Sequence, residues 1–354
     1  MKIAVLVSGG VDSSVALKLL KDQGHDVTAF YLKIWLQDEL SFLGDCPWQE
    51  DLEFVQKVCD QLDVPLEVIP LQKEYWDRIV NHTIAQVKAG FTPNPDILCN
   101  RQIKFGAFFD KIDDSFEKVA TGHYAQVGIV DDQAVLCMAP DPIKDQTYFL
   151  SQMTQEQLKR VLFPLGDLDK AQVRELAQEF DLPNKLRKDS QGICFLGKFK
   201  FADFIKHHIG EQEGDLIEAE TGEKWGTHKG FWFYTIGQRQ GLGLAGGPWY
   251  VVKKDVQKNI VYISRNYYSS EKKRNQFTIH SCNWINGDRP EGAGLRVKLR
   301  HGPLSMPCTI DWLSDDKARV TLEQDDQGIA SGQYAVVYRG DVCLGSGVME
   351  RESE

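Results

Sequence analysis

A turn of glycine and serine that directly follows a short apolar run constrains the fold of this chain more than any other feature. Residues Ile3–Val7 are all apolar, and the sequence SGGVDS follows them at Ser8–Ser13. A continuous apolar run of this length is typical of a strand that is buried on both faces of a parallel sheet. The segment Ser14–Asp22 predicts a helix ending at Gly24, because glycine commonly terminates helices. The sequence therefore opens as a strand, a tight turn and a helix.

The same alternation of strand and helix continues through the first half of the sequence. Further strands are predicted at Val27–Trp35, Leu66–Leu71 and Lys118–Tyr124, and further helices at Leu52–Leu62, Tyr75–Lys88, Gln155–Leu162 and Lys170–Phe180. This pattern predicts an α/β fold with a doubly wound, Rossmann-like parallel sheet, whose binding loops lie at the carboxyl ends of the strands. Two features interrupt it. A hairpin is expected around Asp131–Asp132, and Thr92–Asn100 is expected to be an irregular loop because it holds two prolines.

The second half of the sequence has a different texture. From about Gly214 onward, short β-rich runs alternate with glycines as far as the last residues. Such runs predict a small β module followed by a barrel-like domain. We therefore expect a catalytic α/β domain at residues 1–200, a small central β-rich domain at 201–266 and a C-terminal β-barrel domain at 267–354.

Composition restricts the function only mildly. The net charge of −10 argues against a nucleic-acid partner, although a local basic patch can coexist with an acidic surface. The sequence shows no leader-like segment and no apolar run near the roughly 20 residues of a membrane helix, so we expect a cytoplasmic protein with no membrane partner. None of the eight cysteines stands in a C-x-x-C pair, which argues against the commonest zinc and iron–sulfur sites.

The opening turn has the chemistry of an anion site. Its glycines let backbone N–H groups point at a phosphate, the following helix adds partial positive charge, and its serines add hydroxyl donors. It lacks the lysine of a Walker A loop, so other cations or Mg²⁺ would have to meet the phosphate charge. Asp12 either complements the helix dipole or lies near a metal bound with the phosphates. The alternative is a turn that only caps a Rossmann-like helix.

Two cysteines lie in segments that read as irregular and polar. Cys99 stands in NPDILCN and Cys194 in DSQGICF. Lys185, Arg187 and Lys188 precede Cys194, and nearby cations would stabilise a thiolate there. Taken singly, each cysteine is more often structural, and only the opening turn makes a catalytic pair the better interpretation.

These motifs together resemble a known family. SGGVDS resembles the PP-loop of ATP pyrophosphatases, enzymes that cleave ATP between its α- and β-phosphates. The strings SGGVDSS, TPNPDILCN, ATGHY, KDQTYFL, KDSQGICF and TIGQRQGLG occur here in the order seen in tRNA-specific 2-thiouridylases. The resemblance extends through essentially the whole chain. The missing C-x-x-C pairs separate it from the metal-cluster-dependent tRNA thiolases that share the PP-loop.

The resemblance implies a set of binding residues. The ATP-binding residues would be Leu6, Val7, Ser8, Gly9, Gly10, Val11, Asp12 and Ser13 at the phosphates, with Leu32 against the adenine and Gly122 along the nucleotide. The target base would face Asn94, Pro95 and Asp96, and the rest of the tRNA would contact His123, Lys144, Asp145, Gln146, Arg300, His301 and Gln333. The family often has methionine at the position of Leu32, and leucine keeps adenine packing plausible. His123 could equally be a satisfied structural histidine at the end of a strand.

The resemblance also implies a reaction. ATP would adenylate the C2 oxygen of the wobble uridine, position 34, in the Lys, Glu and Gln tRNAs. Sulfur from a persulfide on Cys194, delivered by a sulfur-relay protein or a cysteine desulfurase, would then displace AMP and give 2-thiouridine. Cys99 would free the sulfur as hydrosulfide, forming a disulfide with Cys194, or assist its direct transfer. Asp96 would be the general acid or base, unless it only forms a turn beside Pro95.

Two other functions remain open from the residues alone. A PP-loop ligase that adenylates a carboxylate would use the opening turn and give no role to Cys99 or Cys194. A non-catalytic nucleotide- or RNA-binding protein would release no pyrophosphate from ATP. Serine at either cysteine would separate the first alternative from a thiolase, since only a thiolase would lose activity.

Overall fold

A five-stranded parallel sheet forms the centre of the first half of the protein. The computed structural model describes residues 1–34, 48–188, 200–268, 274–326 and 328–350. The strands of this sheet are β1 (Lys2–Leu6), β2 (Asp26–Lys33), β3 (Leu66–Pro70), β4 (Lys118–Ala120) and β7 (Val161–Leu162), in the order β3-β2-β1-β4-β7. All adjacent pairs run parallel, so the predicted α/β fold with a doubly wound sheet is confirmed.

Helices cover both faces of this sheet. The helices are α1 (Val11–Asp22), α2 (Trp48–Leu62), α3 (Gln72–Tyr75), α4 (Asn81–Lys88), α5 (Pro95–Cys99), α6 (Thr147–Leu150), α7 (Gln155–Lys159), α8 (Lys170–Glu179) and α9 (Phe201–Ile209), with π-helical turns at Trp76–Val80 and Asn100–Ala107. Ile3 and Val5 join the core that α1 and α2 line, whereas Ala4 and Leu6 join the core that α5 lines. Such alternation is what a strand buried on both faces requires. No helix in the described ranges is long and apolar enough to cross a membrane.

The segment Thr92–Asn100 is not the irregular loop that its prolines predicted. Pro95 is the first residue of α5, and the Asn94 side chain caps this helix by accepting a hydrogen bond from the Ile97 N–H at 3.3 Å. Proline is favoured at a first helical position, where its missing N–H would have no partner within the helix. The helix then continues into the π-helical turn. The prolines therefore start a helix, and Cys99 lies in it, 1% exposed, instead of in an open loop.

Smaller differences lie at element ends. The first helix begins at Val11, three residues before the prediction, because Gly10 is extended and serves as its N-terminal cap. The predicted helix Gln155–Leu162 ends early, since Val161 and Leu162 pair with β4 as strand β7. The predicted hairpin is confirmed as β5 (Gln126–Val130) and β6 (Gln133–Cys137). Its turn residues both have positive φ, 49° and 62°, as a tight two-residue hairpin turn requires.

The second half of the chain forms two β structures. A mixed sheet has the order β10-β11-β8-β9, from β8 (Gly214–Glu218), β9 (Lys224–His228), β10 (Tyr250–Asp255) and β11 (Ile260–Ser264). A barrel is built from β12 (Gln276–Trp284), β13 (Leu295–Lys298), β14 (Met306–Trp312), β15 (Lys317–Leu322), β16 (Tyr334–Arg339) and β17 (Val342–Glu350). Pairing of β12 with β17 closes the six strands. The predicted β module and β barrel are therefore confirmed.

The hairpin from the first half belongs to the sheet of the barrel. Strand β6 pairs antiparallel with β17, where Leu136 lies opposite Cys343 and Cys137 opposite Val342. The proposed division at residue 200 therefore separates the chain into segments that still share one continuous sheet.

A buried ion pair also joins the two halves. Lys298 Nζ lies 2.9 Å from Asp145 Oδ2, and the two side chains are 1% and 0% exposed. The same carboxylate accepts hydrogen bonds from the Thr147 hydroxyl and from the Ala139 N–H. The Thr147 hydroxyl in turn lies 3.1 Å from the hydroxyl of Tyr338 on β16. Tyr338 belongs to the core shared with the α/β half, whereas Val297 and Val337 line the interior of the barrel. The loop before α6 is thus fixed to the outer face of the barrel wall by charge and by hydrogen bonds.

Removing one partner of this pair is expected to destabilise the protein strongly. Lys298→Met leaves the Asp145 carboxylate buried without its counter-charge, which typically costs about 3–5 kcal/mol. The double variant Lys298→Met with Asp145→Asn removes both charges and should recover a large part of that loss. Urea unfolding followed by circular dichroism measures both. Additive losses in the double variant would contradict the assignment of a coupled pair.

Candidate active site

The glycine-rich turn lies at the carboxyl end of the central strand β1. Gly9 has φ +75°, and a Cβ atom there would lie 2.7 Å from the Asp51 carbonyl oxygen and 2.8 Å from the Arg187 guanidinium. Only glycine fits, because both the backbone conformation and the available space exclude a side chain. Gly122, which follows β4, would place a Cβ 2.8 Å from the backbone nitrogen of Ser13. The loop after the neighbouring strand is therefore packed against the start of α1.

The serines of the turn have different positions. Ser13 and Ser14 are buried, and both hydroxyls donate to the Gly10 carbonyl oxygen, at 3.1 and 3.0 Å. The Ser13 hydroxyl also accepts from the Ser8 N–H at 3.2 Å. Ser8 itself is exposed, with its hydroxyl 3.4 Å from that of Ser13. Ser8 therefore offers the outward hydroxyl, whereas Ser14 mainly holds the turn in shape.

Two basic side chains lie beside the turn, which lacks a Walker lysine. Lys170 Nζ, on the first residue of α8, lies 2.6 Å from Asp12 Oδ1, and the Tyr124 hydroxyl donates to the same oxygen at 3.1 Å. Arg187 donates to the Gly9 carbonyl oxygen at 3.0 Å and pairs with Asp51. No local pattern pointed to Lys170, because 158 residues separate it from Asp12.

The Asp12 carboxylate is compatible with a magnesium ion that arrives with a nucleotide. Its second oxygen, Oδ2, accepts no hydrogen bond within the described ranges. Mg²⁺ commonly binds through one or two carboxylates together with substrate phosphates and water. No group of three or more metal-ligating side chains occurs among the residues that the structure describes. A single carboxylate beside a phosphate loop therefore suits a metal carried by its substrate.

The remaining predicted nucleotide contacts share this edge of the sheet. Leu6 ends β1, and Leu32 lies half-buried near the end of the adjacent strand β2, where it is opposite Ile69 of β3. Val7 follows Leu6 and donates its N–H to the Phe30 carbonyl oxygen at 2.9 Å. Both leucines thus lie at the carboxyl ends of neighbouring parallel strands, which is where open α/β sheets bind ligands.

Asn184 is a further residue of this site that the sequence did not indicate. It is 1% exposed, and its amide donates to the Gly9 carbonyl oxygen at 2.8 Å and to the Ser14 hydroxyl at 2.9 Å. It therefore ties the segment after α8 to the phosphate turn. Cys194 lies further along this segment, within 189–199, outside the described residues.

The predicted nucleophile Cys99 and the predicted base-facing residues share one short helix. Pro95 is buried, whereas Asn94 and Asp96 are half-buried at the start of α5. Asn100, next to Cys99, donates from its amide to the Phe149 carbonyl oxygen at 3.0 Å. The helix thereby holds Asp96 at the surface and Cys99 three residues further into the core.

His123 is enclosed by other side chains. Its Nδ1 lies 2.7 Å from the Thr121 hydroxyl, and its ring is 5.9 Å from the ring of Phe163 and 6.2 Å from that of Phe105. Burial, with a smaller effect of the nearby Lys104 charge, lowers the pKa of His123 well below its usual value. The imidazole is therefore neutral at physiological pH, and this environment favours the structural interpretation of the residue.

The other predicted tRNA-contacting residues converge beside α5 from both halves of the chain. Gln146 accepts from the Tyr124 N–H at 2.9 Å, and Lys144 next to the ion-paired Asp145 is half-buried. His301 stacks on Phe149 with ring centres 4.8 Å apart. Gln333 reaches the Pro93 carbonyl oxygen at 3.5 Å. His301 Nε2 also lies 3.1 Å from the Asp145 carbonyl oxygen. The residues of this group are Lys144, Asp145, Gln146, Arg300, His301 and Gln333. Of these, the Asp145 carboxylate is enclosed and paired, so it organises the surface and does not face solvent.

Comparisons with known proteins agree with this geometry. Sequence models of three domains match in succession: "tRNA methyl transferase HUP domain" at residues 1–198, "tRNA methyl transferase PRC-barrel domain" at 202–265 and "Aminomethyltransferase beta-barrel domain" at 274–349. The chain is 45% identical over 361 residues to the tRNA-specific 2-thiouridylase MnmA of Parabacteroides distasonis, covering 100% of both chains. It is 42% identical to the enzyme of the same name from Porphyromonas gingivalis, covering 99% of both.

The parallel sheet and its serine- and glycine-rich turn define a PP-loop protein, the class that uses such a turn to bind ATP phosphates. Although two of the domain descriptions mention a methyl transferase, the relatives that match over the whole length are named for thiolation. The chain belongs to the family of tRNA-specific 2-thiouridylases, which are tRNA-uridine 2-sulfurtransferases.

Lys170 is expected to be required for ATP binding. Lys170→Met removes a cation beside the phosphate turn and leaves the Asp12 charge uncompensated, so MgATP should bind about 10- to 100-fold more weakly. Titration calorimetry with MgATP measures this loss. The matched control is Lys18→Met, since Lys18 lies in α1 and pairs with Asp22 in the last turn of that helix, away from the phosphate turn. Equal affinities of the Lys170 variant and the wild type would contradict the assignment.

The burial of His123 predicts a pH dependence of stability. Below about pH 6.5 the unfolded chain binds a proton on this histidine that the folded protein does not, so the free energy of unfolding falls as pH falls, by at most about 1.4 kcal/mol per pH unit. His123→Gln should reduce this slope between about pH 6.5 and 5, while His82, His208 and His228, whose pKa values burial also lowers, keep part of it.

Urea unfolding at a series of pH values measures the slope. Thr121→Val is the matched control, since it removes the neighbouring hydroxyl but keeps the imidazole. An unchanged slope in His123→Gln would show that the ring is protonated in the folded state.

Proposed function

We propose that this enzyme converts the wobble uridine, position 34, of the Lys, Glu and Gln tRNAs to 2-thiouridine, with ATP as the activating substrate. The observation that carries the proposal is that two elements share one α/β domain. One is the phosphate turn, with Lys170 and Arg187 beside it. The other is α5, which holds Cys99 and the residues expected to face the target base. A ligase acting on a carboxylate would use the turn but would have no use for this helix.

ATP serves to make the C2 oxygen of uridine a leaving group. The uridine oxygen attacks the α-phosphorus, the bond to pyrophosphate breaks, and the base becomes linked to AMP through that oxygen. The backbone N–H groups of Gly9 and Gly10, the outward hydroxyl of Ser8 and the charge of Lys170 stabilise the phosphate oxygens during this step. Asp12 would hold a Mg²⁺ ion, which supplies further positive charge to the departing pyrophosphate.

A sulfur nucleophile then replaces AMP at C2. The sulfur comes from a persulfide on Cys194, loaded by a sulfur-relay protein or a cysteine desulfurase. Cys99 attacks the Sγ atom of Cys194, forms a disulfide and releases hydrosulfide, which attacks C2, or it assists the direct transfer of the terminal sulfur. In the first route the disulfide must afterwards be reduced by a thiol before another cycle. Asp96, half-buried at the start of α5, transfers the proton that accompanies these steps.

The burial of Cys99 fits a delayed role for this thiol. At 1% exposure it cannot react freely with solutes, because a thiolate needs solvent or a cation for stability. We propose that Cys99 becomes reactive when the target base and the loaded Cys194 segment occupy the site next to α5. Premature disulfide formation would thereby be limited.

Separate measurements of the two half-reactions test the function. The wild-type protein, with ATP, Mg²⁺, tRNA and a persulfide source, should release pyrophosphate and give 2-thiouridine detectable by mass spectrometry of digested tRNA. Cys194→Ser and Cys99→Ser should each lose at least about 100-fold of the thiouridine while still releasing pyrophosphate. Asp12→Asn should lose both products, because the first half-reaction depends on it.

The matched control is Cys282→Ser, at a half-buried cysteine of the barrel, which should keep both activities. Normal thiolation by both Cys194→Ser and Cys99→Ser, or thiolation without ATP, would contradict the proposed reaction.

A further inference from the structure

An open cleft lies where the α/β domain, the central β module and the barrel meet. Its volume is about 640 Å³, within the roughly 300–1,000 Å³ of pockets that hold small ligands. Thr92 comes from the first part, Thr235–Gly237 from the second and Leu299–Arg300 from the third. Most of its aromatic wall has no role in the reaction described above.

That wall consists of three tyrosines at and after the strands of the central module. The rings of Tyr250 and Tyr267 are stacked, with centroids 4.7 Å apart and planes at 12°. Tyr268 meets both of them edge-on, at 5.5 and 5.3 Å, and is itself 69% exposed. The neighbouring Tyr250 side chain raises the pKa of Tyr268 above its usual value, so the exposed ring stays neutral. The cleft therefore presents a supported aromatic face to solvent.

The supporting tyrosines are themselves held in place. Gly237 has φ +85°, and a Cβ there would lie 2.7 Å from the Tyr267 hydroxyl, so the backbone passes close to the hydroxyl end of this ring. Burial raises the pKa of Tyr267 to about 12, and the ring stays neutral. A rigid, uncharged pair of rings behind an exposed one is suited to stacking on a flat ligand.

A guanidinium group lines the same cleft as the aromatic wall. Arg300 makes a bidentate pair with Asp326, at 3.1 and 2.8 Å, which fixes the plane of the guanidinium while its side chain remains 63% exposed. A planar, oriented cation next to exposed rings can stack on a base or bind a phosphate. Together these groups match the way proteins hold unpaired RNA bases, which are splayed out onto aromatic and arginine planes.

The cleft adjoins the surface that faces the target base. The Thr92 N–H donates to the Ser331 carbonyl oxygen at 2.8 Å, and Gln333 reaches Pro93. A Cβ at Gly332 would lie 2.8 Å from the Cβ of Phe91, so the barrel loop and the segment before α5 are in direct contact. The cleft is thus two residues along the chain from Asn94, at the start of α5.

We propose that this cleft binds a second unpaired nucleotide of the same tRNA loop, with its base stacked on Tyr268 and its polar groups facing Arg300. The proposal rests on the proposed function only in taking tRNA as the substrate and α5 as the place of the target base. Holding a neighbouring nucleotide apart from the target keeps the loop unstacked while uridine is in the active site.

Binding measurements test the cleft without requiring thiolation. Tyr268→Leu should weaken the binding of an anticodon stem-loop RNA about 5- to 100-fold at fixed salt, because stacking on the ring is lost. Tyr268→Phe keeps the ring and should bind within about 2-fold of the wild type. Tyr268 is exposed, so both variants should fold, which thermal unfolding verifies.

A set of stem-loops, each with an abasic nucleotide at one loop position other than the target, identifies the bound base. At one of these positions the abasic nucleotide should weaken binding to the wild type by about the same factor as Tyr268→Leu does. It should have little further effect on the Tyr268→Leu variant, since the abasic nucleotide and the variant remove the same contact. Absence of any such coupled position, or unchanged affinity of Tyr268→Leu, would overturn the proposal.

Competition with free AMP tests whether the cleft binds free nucleotides instead of a nucleotide of the tRNA. If AMP at millimolar concentration displaced the stem-loop from wild type but not from Tyr268→Leu, the cleft would be a site for free nucleotides and the proposal would be wrong. A protein that binds the stem-loop through Tyr268 but makes no thiouridine would refute the proposed reaction and leave the cleft assignment standing.

Discussion

The buried ion pair between Asp145 and Lys298 is the interaction on which the relation of the two halves depends. The charge of Lys298, at the end of β13 in the barrel wall, is buried only because a carboxylate from the α/β half meets it. Burying either charge alone is unfavourable, so the pair strongly disfavours arrangements in which the halves are apart. The residues beside Asp145 are thereby held next to His301, so several of the predicted tRNA contacts come together from distant parts of the sequence.

The fold was largely predictable because its signals are local. The apolar run at Ile3–Val7 and the following turn specify a buried strand and a helix start, and both lie within three residues of where the sequence indicated. The prediction of an irregular loop at Thr92–Asn100 was wrong because proline is excluded from the interior of a helix but is favoured in its first turn. The sequence alone does not state which position a proline takes. That depends on whether Asn94 can cap the helix, and on the core into which Ile97 and Cys99 pack.

The site was predictable in its motifs and not in its long-range partners. Residues within one motif, such as Ser8 and Asp12, are close in space because they are close in sequence. Lys170 and Asn184 reach the same turn only through the packing of α8 on α1, for which no local pattern exists. The burial of Asp145 was not predicted for the same reason, since a charged residue in a polar segment is ordinarily exposed. Tertiary contacts therefore decide which charged residues act on the substrate and which act on the fold.

The hairpin β5–β6 has a consequence for how such a protein can have arisen and diversified. Strand β17 pairs with β12, with β16 and with β6, so the barrel is closed on itself and also extended by a segment of the α/β half. An α/β half inherited alone would expose the edge of β6, with unpaired backbone groups that invite aggregation. A cut near residue 200, where the domain models meet, would therefore leave β6 and β17 without each other along one edge, so the α/β part and its barrel complete their backbone pairing only together.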